Sequence, residues 1–180
     1  MTRMILVPTG LEAELLDLGD AAVICGFGLV EAAVGASAAF AEQAPREAVL
    51  VGAAGTYRPE RLPVGSVMVA SGVRCSGIGV GDRSAAELGW SAFDAIPLDG
   101  ADGNLLSVAA ASENEQQAGD RARRHPDAVA EEMEGFAVAV AARRFGVRLT
   151  IVRGISNVAG DRDQSHWRLR EALTAVRDVI

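Results

Sequence analysis

The stretch TIVRGISNVAGDRD, Thr150 to Asp163, decides the fold. Thr150, Ile151 and Val152 read as a buried strand, yet the chain leaves it through Ser156 and Asn157, followed by a glycine and three charged residues. In open α/β sheets, ligands bind outside the carboxyl ends of the strands. A strand of such a sheet would place Asn157 where a ligand sits. Ordinary turn or cap chemistry is the competing reading of the same residues.

Outward from this stretch, short apolar runs alternate with helical patterns. VRLTIVRGIS (Val147–Ser156) is the final interior strand, and EGFAVAVAARRFG (Glu134–Gly146) before it is a buried helix. DQSHWRLREALTAVRDVI (Asp163–Ile180) reads as an amphipathic terminal helix, with Trp167, Leu169, Leu173 and Val176 near helical spacing. Further strands are MILVP (Met4–Pro8), AAVIC (Ala21–Cys25), AVLVGAAG (Ala48–Gly55), VGSVMVAS (Val64–Ser71) and NLLSVAAAS (Asn104–Ser112). GFGLVEAAVGASAAFAEQ (Gly26–Gln43) is an alanine-rich helix and ENEQQAGDRARRH (Glu113–His125) an exposed one, while Gly72 to Gly103 shows only a weak pattern. The alternation argues for a mainly parallel sheet flanked by helices. A length of 180 residues suits one domain spanning 1–180.

Composition narrows the partners. The net charge of −7 leaves no basic surface for nucleic acid or an anionic membrane. Cys25 and Cys75 stand far apart and His125 and His166 are scattered, which argues against a structural zinc site and for reduced cytosolic thiols. No run approaches the roughly 18 apolar residues of a membrane helix, and the apolar start is too short for a signal peptide. The expectation is a soluble cytoplasmic protein.

Three clusters fall at the expected carboxyl ends of strands. PTGLEAELL carries Glu12 and Glu14 at the opening of a helix, where acids also simply complement the helix dipole. EEMEG (Glu131–Gly135) sets three carboxylates ahead of a buried helix, and they repel one another unless something uses them. Ser156 and Asn157 form the third. The glycine turns GFGLVEA and GAAG are neither a dinucleotide fingerprint nor a Walker A loop.

Taken together, EEMEGFAVAVAARRFGVRLTIVRGISNVAGD resembles the C-terminal signature of the nucleoside phosphorylase/nucleosidase superfamily. PTGLEAELL, GFGLVEAA, and VGAAG followed by PVGSVMVAS fall in that family's order. The resemblance runs from about Met4 to Trp167 and is weakest between Gly72 and Gly103, where the chain looks trimmed. Within the superfamily, LEAELL and ISNVAGDRDQSHW look most like the futalosine hydrolases, which remove hypoxanthine from futalosine on a route to menaquinone.

The resemblance implies a three-layer α/β fold with a mixed, mostly parallel central sheet. It implies N-ribosidic hydrolysis with no metal or organic cofactor, in a homo-oligomer that is a dimer or larger. By the family pattern Glu134 grips the ribose hydroxyls, Met133 packs on the sugar, and Glu132 joins them or supports the turn. Glu14 is the general base for water, with Glu12 as the alternative. Asn157 faces the base, oriented by Ser156, and Ala54 and Gly55 offer backbone groups. An asparagine offers both a donor and an acceptor, which suits a 6-oxopurine better than adenine. Stacking on the purine falls to Phe136, Trp167 or a neighbouring subunit, since SVAAASENE holds only Ala110, Ala111 and Ser112 where relatives often carry an aromatic. Futalosine also bears a benzoate, for which Arg58, Arg74 and Arg162 are unranked partners. Other readings are an adenine-releasing nucleosidase for methylthioadenosine or aminodeoxyfutalosine, a phosphorylase, and a nucleoside-binding regulatory domain. Carboxylates in the loop after the first strand disfavour phosphate, because like charges repel strongly in a desolvated site.

Overall fold

A computed structural model describes residues 3–81, 83–90 and 93–180. β1 (Arg3–Val7) leads through α1 (Gly10–Leu15) to β2 (Ala22–Ile24), and α2 (Gly28–Gln43) returns the chain to β3 (Glu47–Thr56). Short strands follow: β4 (Val67–Val69), β5 (Gly72–Cys75), β6 (Gly79–Val80), β7 (Arg83–Ser84), β8 (Ala95–Pro97) and β9 (Asn104–Ser107). Then come α3 (Glu115–Arg124), β10 (Ala128–Glu132), α4 (Gly135–Phe145), β11 (Arg148–Val158) and α5 (Leu169–Arg177).

β3 organises the sheet. β11 runs parallel along one edge for its whole length, from Arg148 opposite Glu47 to Val158 opposite Thr56, with a bulge between Ile155 and Asn157. The other edge changes partner: β1 pairs in parallel with Glu47–Leu50, and β10 pairs antiparallel at Gly55 and Thr56. β9, β5 and β8 extend the sheet beyond β10, β2 flanks β1, and β4 flanks β11. β6 and β7 form a separate ribbon. The sheet is mixed, with parallel pairs at its centre, as the resemblance implies.

Helices cover both faces, which is why β3 and β11 are near-continuous apolar runs rather than alternating ones. Ala32, Ala36, Ala39 and Phe40 of α2 pack with Val138, Ala139 and Ala142 of α4 over one face. Leu173 and Val176 of α5 pack with Val7, Val51 and Val152 on the other. Small residues permit the close approach: a Cβ on Gly35 would lie 2.1 Å from the Cys25 carbonyl oxygen, so α2 touches the backbone after β2.

Three segments differ from the expectations. AVAEE, Ala128–Glu132, is a wholly buried strand rather than the approach to a helix. Its acids tolerate burial because internal donors consume them, as described below. The terminal helix begins at Leu169; Gln164–His166 form a 3₁₀ turn and Trp167 is extended, so Trp167 lies off the helix. The weakly patterned segment, within which Asp82, Ser91 and Ala92 lie outside the described residues, holds β5 to β8.

Candidate active site

The change of partner along β3 opens a cleft. Residues 51–54 lie between the β1 and β10 pairings. There the Ala53 amide donates to Glu12 Oε1 at 3.1 Å instead of to a strand. Because β10 is antiparallel to β3, its end carries Glu132, Met133 and Glu134 back toward the same place. The cleft is lined by Glu12, Phe27, Ala53, Ala54, Gly55, Val108, Ala111, Glu131, Glu132, Met133, Glu134, Ser156, Asn157, Arg162, Trp167 and Leu169.

Glu12 is positioned by the start of α1. Thr9 caps the helix by accepting from the Glu12 amide at 3.2 Å, and its hydroxyl donates to Glu12 Oε2 at 2.7 Å. Glu14, the expected base, is exposed and outside the cleft lining. Residues two apart on an α-helix point to nearly opposite sides, about 200° around the axis, so only one of the pair can face Ala53. Of the two, Glu12 is the one that lines the cleft.

Arg153, which the sequence reading passed over, ties the carboxylates together. It is fully buried; its Nη2 donates to Glu132 Oε2 at 2.5 Å and to Glu134 Oε2 at 3.4 Å. Gly52 makes room for it: a Cβ there would meet Arg153 Nη1 at 2.3 Å and Glu12 Oε1 at 2.8 Å. Burial alone would lower the Arg153 pKa, but Glu132, Glu134 and Glu12 outweigh it and raise it. The cation therefore stays charged at the centre of three acids.

Glu132 and Glu134 differ in what they have left to offer. Glu132 Oε2 accepts from Arg153, from the Glu134 amide at 3.0 Å and from the Gly135 amide at 2.6 Å, and Oε1 accepts from the Ser107 hydroxyl. Three of these bonds converge on Oε2, and Oε1 keeps one of its two acceptor sites. Glu132 thus caps α4 and holds the turn while also lining the cleft. Among the described residues Glu134 accepts only from the Gly28 amide at 3.0 Å and from Arg153, which leaves acceptor capacity. Burial pushes its pKa up to about 7, with Arg153 opposing and Glu132 adding to the rise.

Ser156 and Asn157 close the far side at the β11 bulge. Asn157 Nδ2 donates to the Val158 carbonyl at 2.8 Å, and the Ser156 hydroxyl donates to Asn157 Oδ1 at 2.8 Å. A carbonyl can only accept, so this bond defines which end of the amide is NH₂. One N–H and one lone pair of Asn157 remain.

Glu131 serves the wall. It accepts from Tyr57 Oη, from the Ser112 hydroxyl and from the Ser112 amide, each at 2.7 Å, and from Arg121 Nη1 at 3.2 Å. Burial and the adjacent Glu131 raise the Tyr57 pKa, keeping the phenol a donor. These bonds draw the segment with Val108 and Ala111 against β10 as a low apolar wall.

Of the other expected residues, Met133, Ala54 and Gly55 line the cleft, as do Arg162 and Trp167. Phe136 does not: it lies in the core, 6.1 Å between centroids from Phe93, and cannot stack on a ligand there. Arg74 pairs with Asp94 and Asp127, and neither Arg74 nor Arg58 lines the cleft. Phe27, at the start of α2, lines the mouth without having been anticipated; its signal was the glycine on either side of it.

The model of the phosphorylase superfamily matches residues 18–180. The chain belongs to the phosphorylase superfamily. Within this superfamily it is similar to the futalosine hydrolase of Thermus thermophilus, at 33% identity covering 98% of this chain and 92% of that one. It is 34% identical over 147 residues to the futalosine hydrolase of Streptomyces coelicolor, spanning 73% of this chain but only 62% of that relative's length. The native structure of futalosine hydrolase of Helicobacter pylori shares the superfamily fold, with a TM-score of 0.80 at 15% identity over 98% of this chain and 94% of that one.

Proposed function

We propose that the chain hydrolyses the N-ribosidic bond of futalosine and releases hypoxanthine. The observation that carries this reading is the orientation of Asn157 opposite Glu12 and Glu134 in one cleft. Cleavage passes through an oxocarbenium-like sugar while negative charge gathers on the purine, so the site must hold ribose, activate water and stabilise the leaving base. Glu134 accepts from the ribose hydroxyls, and Met133 packs on the sugar. Glu12 takes the proton from the attacking water. The remaining lone pair of Asn157 accepts from a protonated N7, and its remaining N–H donates to a 6-oxo group. Adenine would set its amino group against that N–H, leaving two donors facing each other.

The Glu12 carboxylate on the cleft wall also repels phosphate, which favours water as nucleophile. Offered futalosine and methylthioadenosine separately, the protein is expected to release hypoxanthine from the first in large excess over adenine from the second. Preferential adenine release would assign the nucleosidase reading instead.

We further read the chain as a cytoplasmic homo-oligomer. Leu11, Ile24, Phe27, Val30 and Val34 are 56–76% exposed around the start of α2. An apolar row of this kind suits burial against a second copy, and Phe27 joins it to the cleft mouth. No helix among the described residues is long and apolar enough to cross a membrane.

A further inference from the structure

We propose that Glu131, across Gly55 from Asn157, is a second base-selecting residue and accepts the N1–H of a 6-oxopurine. The inference rests on the hydrolase reading and deepens it by naming what meets the next edge of the leaving base. Gly55 of β3 pairs on one side with Asn157 of β11 and on the other with Glu131 of β10. Register partners on neighbouring strands share a face of the sheet, and both side chains line the cleft. Neighbouring strands lie about 4.8 Å apart, which sets the two backbones roughly 10 Å apart. The residue between them is a glycine, so no side chain fills the gap.

The Glu131 carboxylate is fixed, yet it keeps one place open. Its Oε2 accepts from Tyr57 Oη and from the Ser112 hydroxyl, each at 2.7 Å, and from Arg121 Nη1 at 3.2 Å. Among the described residues its Oε1 accepts only from the Ser112 amide at 2.7 Å, which leaves one of that oxygen's two acceptor sites. The donors come from three parts of the chain: Tyr57 just past β3, Ser112 in the segment after β9, and Arg121 on α3. Arg121 Nη2 also donates to the Ala110 carbonyl at 2.9 Å, tying the same segment down. A carboxylate held from three sides presents its open site with little further ordering, which is where preorganised sites gain affinity.

The rest of the cleft leaves this task to Glu131. On the hydrolase reading Glu12 serves the water and Glu134 the ribose, while Glu132 is bound into the turn before α4. Val108, Ala111 and Met133 line the same side and offer no hydrogen-bonding side chain of comparable strength. A hypoxanthine whose N7 and O6 meet Asn157 still carries one donor on the adjoining edge, its N1–H. A buried donor left without a partner is costly, and Glu131 supplies the acceptor. Adenine carries an acceptor at N1, so the same carboxylate would set two acceptors against each other. Sites built around a substrate hydrogen bond reject an analogue that cannot make it. Asn157 opposes adenine at the 6-amino group and Glu131 opposes it at N1.

The test compares wild type with Glu131→Gln on futalosine and on its matched adenine nucleoside, aminodeoxyfutalosine, which differ only at N1 and C6. Glutamine keeps the shape, and with its carbonyl turned to the three donors at Oε2 it presents NH₂ at the open site. The ratio of kcat/KM for futalosine over aminodeoxyfutalosine is expected to fall about tenfold, the loss typical of a hydrogen bond to a charged group. A residue that only braced the wall would weaken both substrates alike, so an unchanged ratio overturns the proposal. Thermal melting shows whether the variant is folded. If it is not, calorimetric binding of hypoxanthine and 1-methylhypoxanthine to wild type decides: blocking N1 is expected to cost about tenfold in affinity, and equal affinity overturns the proposal. Wild type that cleaves neither nucleoside refutes the hydrolase reading instead, and the same two bases then decide the Glu131 claim by the same outcomes.

Discussion

Arg153→Met removes the cation that two buried acids, Glu132 and Glu134, share beside the half-buried Glu12. Arg153 and Glu132 have side chains with 0% exposure, and Glu134 keeps 6%. Breaking a buried ion pair by deleting one partner costs about 3–5 kcal/mol, because the other charge is left uncompensated. Against a total stability of about 5–15 kcal/mol for a domain, that is a large share. The loss should also depend on pH. The folded-state pKa of Glu134 is already raised to about 7, chiefly by burial, with Arg153 holding it down. Without Arg153 it rises further. A carboxyl raised in the folded state favours folding at low pH, and that advantage fades as pH climbs through the folded value. Urea unfolding should therefore show a larger deficit for Arg153→Met at pH 8 than at pH 5, and adding Glu132→Gln should recover part of it. A soluble Arg153→Met protein within about 1 kcal/mol of wild type at pH 8, with no pH dependence of the difference, would refute the hub.

Four further outcomes are expected. Glu12→Gln should lose about 10²–10⁴-fold in hypoxanthine release, whereas Glu14→Gln, on the exposed side of α1, should stay near wild type in the same assay. Asn157→Asp should shift the ratio of hypoxanthine to adenine release toward adenine, measured with matched nucleosides; an unchanged ratio removes Asn157 from base selection. The kcat/KM profile should climb with pH and level off above about 7, because Glu134 must be ionised to accept from both ribose hydroxyls, and Glu134→Gln should abolish that limb. Val34→Glu, at a position 63% exposed, should turn an oligomer into monomers in analytical ultracentrifugation.

How much of this was readable in the chain differs from residue to residue. The strand through Thr150 and its exit at Asn157 were legible because a continuous apolar run ending in polar residues has few other solutions in an α/β sheet. Glu134 followed from the resemblance of EEMEG to the family signature, because its place before an apolar helix suits a plain helix-opening charge as well. Arg153 stood in plain view within TIVRGIS, but an arginine inside a buried strand is visible only once its partners are known. The hint was the repulsion within EEMEG, which demanded a cation nearby. Glu12 and Glu14 share one motif, and the choice between them depends on helix phase relative to the Ala53 amide, a long-range fact. Trp167 fitted a helical period by spacing, yet the 3₁₀ turn before it puts it on the cleft rim. β10 was missed because its two terminal acids look like helix-opening charges until Ser112, Tyr57 and Ser107 are seen to bind them.

The most direct measurement is turnover of futalosine in phosphate-free buffer made with ¹⁸O-labelled water, followed by mass analysis of both products. The account predicts free hypoxanthine together with a sugar product carrying one ¹⁸O at the anomeric carbon. Release that requires phosphate and yields a sugar 1-phosphate, or no release of base at all, would contradict it.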